Sequence, residues 1–315
     1  MRLFEIQNLY KCFDKRKKVY AVRNISLHIN RGETIGLVGE SGCGKTTLGK
    51  LLIKLENTTA GSIIFKDEDI THHSFNKMRR LRQNMQMIFQ SSAQSFNPYC
   101  NIRQILTEPL NNYSTGTREE KERLIVNMLC KIGLDKTYLN RYPRELSGGQ
   151  RQRIGIARAL ILNPEFVVCD EAVSSIDYVL KQKILALLKE LKQEFDLTYL
   201  FISHDISAIK TVCTRVAVMY LGNILEIIPD ISLGAVHPYT QALLAAVLPA
   251  DPAKRKIGKL LFRDNEDMDI PEQGCVFQNR CLYAQNRCRE KEPELVQIGI
   301  GHFAACYRNN IGGIL

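Results

Sequence analysis

The sequence predicts an α/β protein, and three observations support this fold class. Residues 34–38 form an apolar run with the length of a buried strand. A glycine-rich loop follows at once, and apolar residues then recur at helical spacing through residues 46–55. Farther along, the short apolar runs 166–169 and 198–202 flank the helical pattern of residues 179–195. Strands that alternate with helices in this way predict a parallel sheet covered on both faces.

The remaining predicted elements lie on either side of the glycine-rich loop. Before the loop, residues 25–30 alternate roughly between apolar and polar side chains, which predicts a strand. After it, residues 118–132 form an amphipathic helical pattern and residues 155–162 form another, so a mainly helical stretch separates two sheet-like stretches. Beyond Pro229 the pattern loosens, and residues 254–269 have the charged composition of a linker before a cysteine-bearing tail.

Length and composition predict one large domain plus an appendage. The chain has 315 residues, of which 45% are hydrophobic and 24% charged, the balance of a folded globular protein. The longest mostly apolar run, residues 216–236, is interrupted by Asn223, Glu226 and Asp230, so we expect no membrane-spanning helix. The first residues lack the apolar stretch of a signal peptide, which predicts a cytoplasmic protein.

The charge balance leaves the partner open. Lys and Arg number 43 and Asp and Glu 33, giving a net charge of +10 with basic clusters at residues 15–18, 77–82 and 254–256. Such a surface suits nucleic acid or the anionic inner face of a membrane, and it is equally compatible with a solvated basic surface that has no partner.

A phosphate-binding loop is predicted between the first strand and helix of the α/β unit. Its glycines let backbone N–H groups turn toward phosphate oxygens, and the following helix directs its positive end at them. We expect Lys45 to reach the β and γ phosphates and the Thr46 hydroxyl to ligate Mg²⁺. This pattern occurs in many nucleotide hydrolases, so alone it predicts ATP or GTP. The predicted nucleotide-binding residues are Gly39, Glu40, Ser41, Gly42, Cys43, Gly44, Lys45, Thr46 and Thr47.

Two adjacent carboxylates follow the apolar run 166–169. Asp170 and Glu171 are placed just beyond the carboxyl end of a strand, where ligands bind in open α/β sheets. Taken alone, they are equally compatible with solvated acids. With a phosphate loop upstream, Asp170 is expected to hold Mg²⁺ through water and Glu171 to polarise the attacking water, the division of labour that phosphoryl transfer needs.

The most specific pattern is Leu-Ser-Gly-Gly-Gln-Arg-Gln-Arg at residues 146–153. A helix cap at Ser147 would explain neither the second glycine nor the glutamine. The segment resembles the Leu-Ser-Gly-Gly-Gln signature of the ABC ATPase family. The resemblance implies that Ser147, Gly148, Gly149 and Gln150 close over the ATP held by the phosphate loop of a second ATPase subunit, either a paralogue or a second copy of this chain. One chain would then carry half of each of two ATP sites.

Further family elements occur in the expected order. By resemblance, Gln90 contacts Mg²⁺ and senses the membrane subunit, and Asp177 belongs to a loop that crosses the dimer interface. His204 matches the histidine that contacts the γ-phosphate and the attacking water. Phe13 best matches the aromatic residue that stacks on adenine, with Tyr20 as its competitor because a basic insertion blurs the register.

The chain departs from the family pattern at two places. Ala172 stands where the family commonly has proline after the catalytic glutamate, and Ser175 and Ile176 replace alanine and leucine before Asp177. Neither change removes a ligand or a charge. The departures therefore put in doubt the geometry of the interface loop rather than the activity.

The last third of the chain indicates the branch of the family. Residues 95–98, Ser-Phe-Asn-Pro, and residues 237–240, His-Pro-Tyr-Thr, resemble segments of oligopeptide and dipeptide importer ATPases, and nickel-importing members share them. The resemblance implies a P-loop NTPase fold of the ABC ATPase type, with a mixed-sheet core and a helical subdomain near residues 91–162. The ATPase domain would span residues 1–250 and a small cysteine-rich C-terminal extension residues 251–315.

The tail concentrates four of the ten cysteines, which without an export signal are expected to be mostly reduced thiols. The resemblance implies a [4Fe–4S] cluster as their occupant. Four thiolates also suit Zn²⁺, although the spacing matches neither a ferredoxin run nor a paired zinc site, and free or redox-active thiols are the third interpretation. A bound group would staple a tail too small for its own core. The four are Cys275, Cys281, Cys288 and Cys306.

These inferences predict an ATPase that powers peptide import, with nickel import as the alternative within the family. The expected partners are a second ATPase subunit, two transmembrane permease subunits and an extracytoplasmic solute-binding protein, which would place the chain at the cytoplasmic face of the cell membrane. ABC ATPases that act on nucleic acid are the alternative of a different class. They carry long coiled-coil insertions or two tandem cassettes, whereas each motif occurs once here, so no nucleic-acid partner is expected.

Overall fold

The computed structural model describes residues 1–14, 19–89, 96–113, 116–174, 176–245 and 271–310. The strands and helices in these ranges are, in chain order, β1 (Arg2–Asp14), β2 (Val19–Asn30), β3 (Thr34–Val38), α1 (Lys45–Leu52), β4 (Ala60–Phe65), β5 (Glu68–Asp69), α2 (Phe75–Leu81), β6 (Met85–Ile88), α3 (Ile102–Tyr113), α4 (Arg118–Lys131), α5 (Gly148–Leu160), β7 (Phe166–Asp170), α6 (Tyr178–Phe195), β8 (Thr198–Ile202), α7 (Ile206–Val212), β9 (Arg215–Tyr220), β10 (Asn223–Ile228), α8 (Pro238–Ala245), α9 (Asn286–Glu290), β11 (Val296–Gly299) and β12 (His302–Ala304).

Two sheets organise the described strands. Strands β2-β1-β4-β5 form an antiparallel sheet, and strands β11-β12-β10-β9-β3-β8-β7-β6 form a larger mixed sheet. In the larger sheet, β3 pairs in parallel with β8 and β9, and β7 pairs in parallel with β6 and β8. Strand β10 pairs antiparallel with β9 and with β12, and β12 pairs antiparallel with β11. The α/β class is therefore confirmed, with a parallel centre and an antiparallel edge.

The sequence predicts the strands better than the helix ends. Residues 34–38 and 198–202 coincide with β3 and β8. The helix after the loop ends at Leu52, earlier than predicted, and Lys54 just beyond it adopts a left-handed φ of 54°. The helix predicted from residue 155 begins earlier, at Gly148, where Ser147 caps it. The prediction starts too late because the two glycines at the start of the helix obscure its apolar periodicity. The predicted loosening beyond Pro229 is wrong for residues 238–245, which form α8.

The central strands serve two cores, one on each face of the large sheet. In β8, Leu200 and Ile202 belong to the core shared with α1 and the antiparallel sheet, whereas Tyr199 and Phe201 belong to the core on the opposite face. This alternation follows from the two-residue period of a strand. Helix α1 packs closely on the first face, because a Cβ added at Gly49 would lie 2.8 Å from Val168 Cγ1.

Helices α3, α4 and α5 pack against one another on the second face, and α5 contacts β6. A capping box starts α4: the Glu120 N–H donates to Thr117 Oγ1 over 3.2 Å, and the Thr117 N–H donates to Glu120 Oε2 over 2.7 Å. These helices lie within the predicted helical subdomain. Its bounds, like the boundary near residue 250, touch residues outside the described ranges and stay predictions.

The tail extends the large sheet. Strand β12 pairs with β10, with Glu226 opposite Ala304 and Ile227 opposite Phe303, and β11 pairs with β12. Glu226 is fully buried, and its Oε1 lies 2.8 Å from His302 Nε2. No helix in the described ranges is long and apolar enough to cross a bilayer.

An aromatic cluster fastens the tail to the rest of the fold. The Phe277 side chain is 1% exposed. Its ring centroid lies 5.4 Å from those of Tyr220 and Tyr239 and 5.8 Å from that of His237. The tail therefore packs against both β9 and α8 through this one ring.

Candidate nucleotide-binding site

The phosphate loop joins β3 to α1 and is held in shape by backbone contacts. Gly44, the N-cap of α1, has a φ of 106°, and a Cβ added there would lie 1.9 Å from the Ala21 carbonyl oxygen. Only glycine fits this position. Beside it, the Cys43 carbonyl oxygen accepts a hydrogen bond from the Gly222 N–H at 2.9 Å. Cys43 is itself buried, and burial raises the pKa of its thiol.

Lys45 lies within the curve of the loop. Its Nζ donates to the Gly39 carbonyl oxygen at 2.9 Å and to the Glu40 carbonyl oxygen at 2.8 Å. The residue is 5% exposed, so these two carbonyls compensate a largely desolvated ammonium group. The ammonium group is thus already confined to the concave side of the loop.

Thr46 and Asp170 meet across the sheet edge. The Thr46 hydroxyl donates to Asp170 Oδ1 over 2.9 Å, although 124 residues separate them in the chain. Burial raises the pKa of Asp170, the hydrogen bond from Thr46 opposes that shift, and the neighbouring Glu171 carboxylate adds to it. A hydroxyl and a carboxylate are hard oxygen donors of the kind that Mg²⁺ prefers, so this pair fits the predicted ion.

Glu171 and His204 form a second polar pair at the same edge. His204 Nδ1 lies 3.3 Å from Glu171 Oε1, and 61% of the histidine side chain is exposed. Glu171 holds a left-handed φ of 47°, and its N–H donates to the Ile202 carbonyl oxygen at 2.9 Å. A non-glycine residue in this region is strained, and such strain often marks functional positions.

Asp205 fixes the loop that carries His204. Its Oδ1 accepts the Ser207 N–H at 2.8 Å and caps α7, and its Oδ2 pairs with Lys181 Nζ at 2.5 Å. Burial alone would raise the pKa of Asp205, but the hydrogen bonds from Lys181 and Ser207 lower it to about 2. The charged carboxylate therefore anchors the start of α7 next to the histidine.

One open cavity of about 700 Å³ is lined by ten of the predicted catalytic and nucleotide-binding residues, although not by Gly39, Glu40 or Asp170. Phe13 and Tyr20 both line it, so both positions remain available to an adenine ring. Phe13 is 58% exposed and lies 4.8 Å below Lys11 Nζ, and Tyr20 is 37% exposed. The residues that line the cavity are Phe13, Val19, Tyr20, Ala21, Ser41, Gly42, Cys43, Gly44, Lys45, Thr46, Thr47, Glu171, His204, Leu221 and Gly222.

Leu221 and Gly222 form the β9–β10 turn beside the phosphate loop and line the cavity, but the sequence does not predict them as site residues. Val19 and Ala21 were also missed, although they flank the predicted Tyr20 on β2. The only sequence signal for the turn is the single glycine between two apolar runs, which predicts a turn without saying what it contacts.

The signature segment does not line this cavity in its own chain. Ser147 caps α5 by accepting the Gln150 N–H at 3.3 Å, and Gln150 Nε2 donates to the Tyr138 hydroxyl at 2.9 Å. Gly149 meets α6, because an added Cβ would lie 2.6 Å from Leu180 Cδ2. Asp177 caps α6 by accepting the Leu180 N–H at 2.9 Å. Gln90 lies outside the described residues.

The four tail cysteines line one small cavity of about 20 Å³, together with His237 and Phe277. Burial raises the pKa of Cys275 to about 12 and also raises that of Cys306. Within the described ranges, no three His, Cys, Asp or Glu side chains are grouped so that they could hold a metal ion. A space of this size admits about one water molecule. The structure therefore gives no support to the predicted iron–sulfur cluster or to zinc.

Comparisons with known proteins identify the family of this chain. Residues 22–174 match the ABC transporter family model, and residues 228–288 match that of the oligopeptide/dipeptide transporter C-terminal region. The chain is 41% identical to the oligopeptide transport ATP-binding protein AppF of Bacillus subtilis, covering 97% of each chain. It is 43% identical to a putative peptide import ATP-binding protein of Brucella ovis, covering 98% of each.

Solved structures give the same answer for the fold. A dimeric ATP-binding cassette in a post-hydrolysis state with ADP and Pi superposes with a TM-score of 0.65 at 27% identity, covering 70% of this chain and 96% of that one. A subunit of an ABC transporter complex from Clostridium perfringens superposes with a TM-score of 0.67 at 22% identity, covering 78% of this chain and 93% of that one. At this identity the likeness concerns the fold alone. The chain belongs to the ABC transporter family of ATPases, in its oligopeptide/dipeptide transporter branch.

Proposed function

We propose that this ATPase powers the import of peptides through a membrane ABC transporter. The observation that carries the proposal is that Glu171, His204 and the phosphate loop open onto one cavity, with Asp170 bonded to Thr46 at its edge. The relatives that cover nearly the whole chain are named as peptide transport proteins, which favours peptides over nickel as the solute.

The phosphate loop would bind the triphosphate through its backbone N–H groups and Lys45. Thr46 and Asp170 would hold Mg²⁺, with Asp170 acting through water. Gln90, which lies outside the described residues, would add a further contact to the ion. When bound, the ion neutralises charge that develops on the phosphate oxygens. Phe13, or Tyr20 in its place, would stack on the adenine ring.

Glu171 would orient and polarise the attacking water, and His204 would contact the γ-phosphate. Ser147, Gly148, Gly149 and Gln150 would complete the ATP site of a second ATPase subunit, with Asp177 at the interface between the two. The separation of the signature segment from the cavity of its own chain supports this arrangement.

Transport would follow from closure of that dimer. ATP binds the closed state more tightly than the open state, so binding supplies the free energy of closure. Closure would move two permease subunits docked near residues 90–98, and hydrolysis would reset the dimer. A solute-binding protein on the far side would deliver the peptide, with this chain at the cytoplasmic face of the membrane.

The occupant of the cysteine tail is a separate proposal by family resemblance. A [4Fe–4S] cluster, or Zn²⁺, at Cys275, Cys281, Cys288 and Cys306 would require the side chains to rearrange around the small cavity they line. Anaerobic purification followed by iron, sulfide and zinc analysis tests this directly. Less than one equivalent of zinc, together with far fewer than the four iron and four sulfide per chain of a [4Fe–4S] cluster, would leave the cysteines as thiols.

The test of the main proposal is Glu171→Gln in the intact transporter, with Glu190→Gln on the exposed face of α6 as the matched control. We expect Glu171→Gln to bind ATP normally while its turnover falls by about 100-fold or more, because the charge that polarises water is lost. Near-normal hydrolysis would remove Glu171 from the catalytic role.

Uptake in cells that carry the same variants assigns the solute. Loss of labelled di- and oligopeptide uptake, with nickel uptake retained, is the expected result. Loss of nickel uptake alone would move the chain to the metal branch of the family.

A further inference from the structure

The tail reaches the phosphate loop through Arg280. The Arg280 Nη1 atom donates to both carboxylate oxygens of Glu40, at 3.0 and 2.9 Å, and approaches the Tyr220 hydroxyl at 3.4 Å. The arginine side chain is 13% exposed and that of Glu40 33%. The arginine is thus largely shielded from water and the glutamate partly, which strengthens their electrostatic interaction relative to a fully exposed pair.

The fold of the tail fixes the position of Arg280. The N–H groups of Arg280 and Cys281 both donate to the Phe277 carbonyl oxygen, at 3.2 and 3.0 Å, so the segment turns tightly around Phe277. The Phe277 ring is buried against Tyr220 and Tyr239. Any displacement of this turn would therefore move the guanidinium group relative to the loop.

A second residue outside the loop holds the same glutamate. The Glu40 N–H donates to the Tyr239 hydroxyl at 3.0 Å, and Tyr239 is 2% exposed. On the other side of the same residue, the Glu40 carbonyl oxygen accepts from Lys45 Nζ at 2.8 Å. Glu40 thus connects the lysine of the phosphate loop to α8 and to the tail.

We infer that Arg280 is a positioning residue for ATP: it pins Glu40, the residue before the loop segment that lines the cavity, and offsets the negative charge of Glu40, so that the tail sets the affinity for ATP. The inference rests on ATP binding at the phosphate loop. Without the guanidinium group, the negative charge of Glu40 would be uncompensated within the loop and would weaken the attraction of the loop for phosphates, and the loop would have to be ordered by ATP at the expense of binding free energy.

The experiment measures ATP affinity in the full chain by displacement of a fluorescent ATP analogue, and KM and kcat in the assembled transporter. We expect Arg280→Ala to weaken ATP binding about tenfold, within the range typical of coupling between two sites. The effect should appear in KM, with kcat largely retained, because the residue acts before the chemical step. Arg280→Lys should recover most of the affinity, since a single nitrogen makes both contacts.

Two further variants separate positioning from mere anchorage of the tail. Glu40→Gln combined with Arg280→Ala should bind ATP better than Arg280→Ala alone, because the uncompensated charge is gone. Tyr239→Phe keeps the aromatic packing and removes only the acceptor for the Glu40 N–H, so it too should weaken binding. Arg287→Ala, an exposed tail arginine whose guanidinium stacks on Tyr307 at 4.2 Å, is the matched control.

Wild-type affinity in Arg280→Ala, with or without a lowered melting temperature, would overturn the inference. So would a double variant no better than Arg280→Ala. Failure of the wild-type chain to bind ATP would instead overturn the proposed function, so the two failures are distinguishable.

Discussion

We expect His237 to make the stability of this protein sensitive to mild acid. The residue is 1% exposed, its backbone N–H donates to Glu226 Oε2 at 3.1 Å, and its ring Nδ1 accepts the Tyr239 N–H at 3.0 Å. Burial lowers the pKa of His237 to about 3. The folded chain therefore keeps the ring neutral, whereas the unfolded chain protonates it below its ordinary pKa of about 6.5.

The magnitude follows from this difference in pKa. As the pH falls below about 6.5, the unfolded state gains a proton that the folded state does not take up, so the free energy of unfolding decreases by about 1.36 kcal/mol per pH unit. The loss continues down to the folded-state pKa of about 3. Between pH 7 and pH 5, His237 alone should remove roughly 2 kcal/mol of stability.

The assay is chemical denaturation at pH 7, 6 and 5 of the wild type and of His237→Gln, which can still accept the Tyr239 N–H but does not titrate. The carboxylates are common to both chains, so the difference between their pH profiles reports His237. His72→Gln, at an exposed histidine, is the control. Parallel profiles for the wild type and His237→Gln would refute the reasoning, because they would mean that His237 titrates alike in both states.

Two packing predictions follow from buried contacts. Phe277→Ala should destabilise the chain by roughly 3–5 kcal/mol in denaturant titrations, because it leaves a cavity among the tail, β9 and α8, whereas a loss below about 1 kcal/mol would show that the site collapses. Gly49→Ala should lower the free energy of unfolding by about 1–3 kcal/mol through overpacking against Val168, although alanine has the better helix propensity. Adding Val168→Ala to the same chain should recover part of this loss. A Gly49→Ala chain more stable than the wild type would contradict the close approach of α1 to β7.

The sequence predicts those parts of the site whose positions follow from the order of strands, loops and helices along the chain. A strand, a glycine-rich loop and a helix place Lys45 and Thr46, and the carboxyl ends of parallel strands meet at one edge, which brings Asp170 to Thr46 across 124 residues. The sequence could not predict the Glu40–Arg280 pair, because nothing local links residues 240 positions apart.

The tail shows the same limit. Strands β11 and β12 are only four and three residues long, too short for an alternating pattern to mark them, and β11 is also largely exposed. The spacing of the tail cysteines indicates a shared site, but the direction of each thiol depends on backbone turns such as the one around Phe277. The start of α5 is hard to predict for a different reason. Ser147 gives a local capping signal, but the two glycines after it weaken the apolar periodicity from which a helix is predicted.

The pairing of β12 with β10 has a consequence for how this subunit can be cut and recombined. A chain shortened after Ala245 would leave the outer backbone groups of β10 without their partner strand, a template on which other chains could add. Exchanging tails between two paralogous ATPase subunits would join a foreign strand to that edge and change the environment of Glu226. The tail and the large sheet therefore form one structural unit, and a hybrid that keeps these contacts must carry β9, β10, α8 and the tail together.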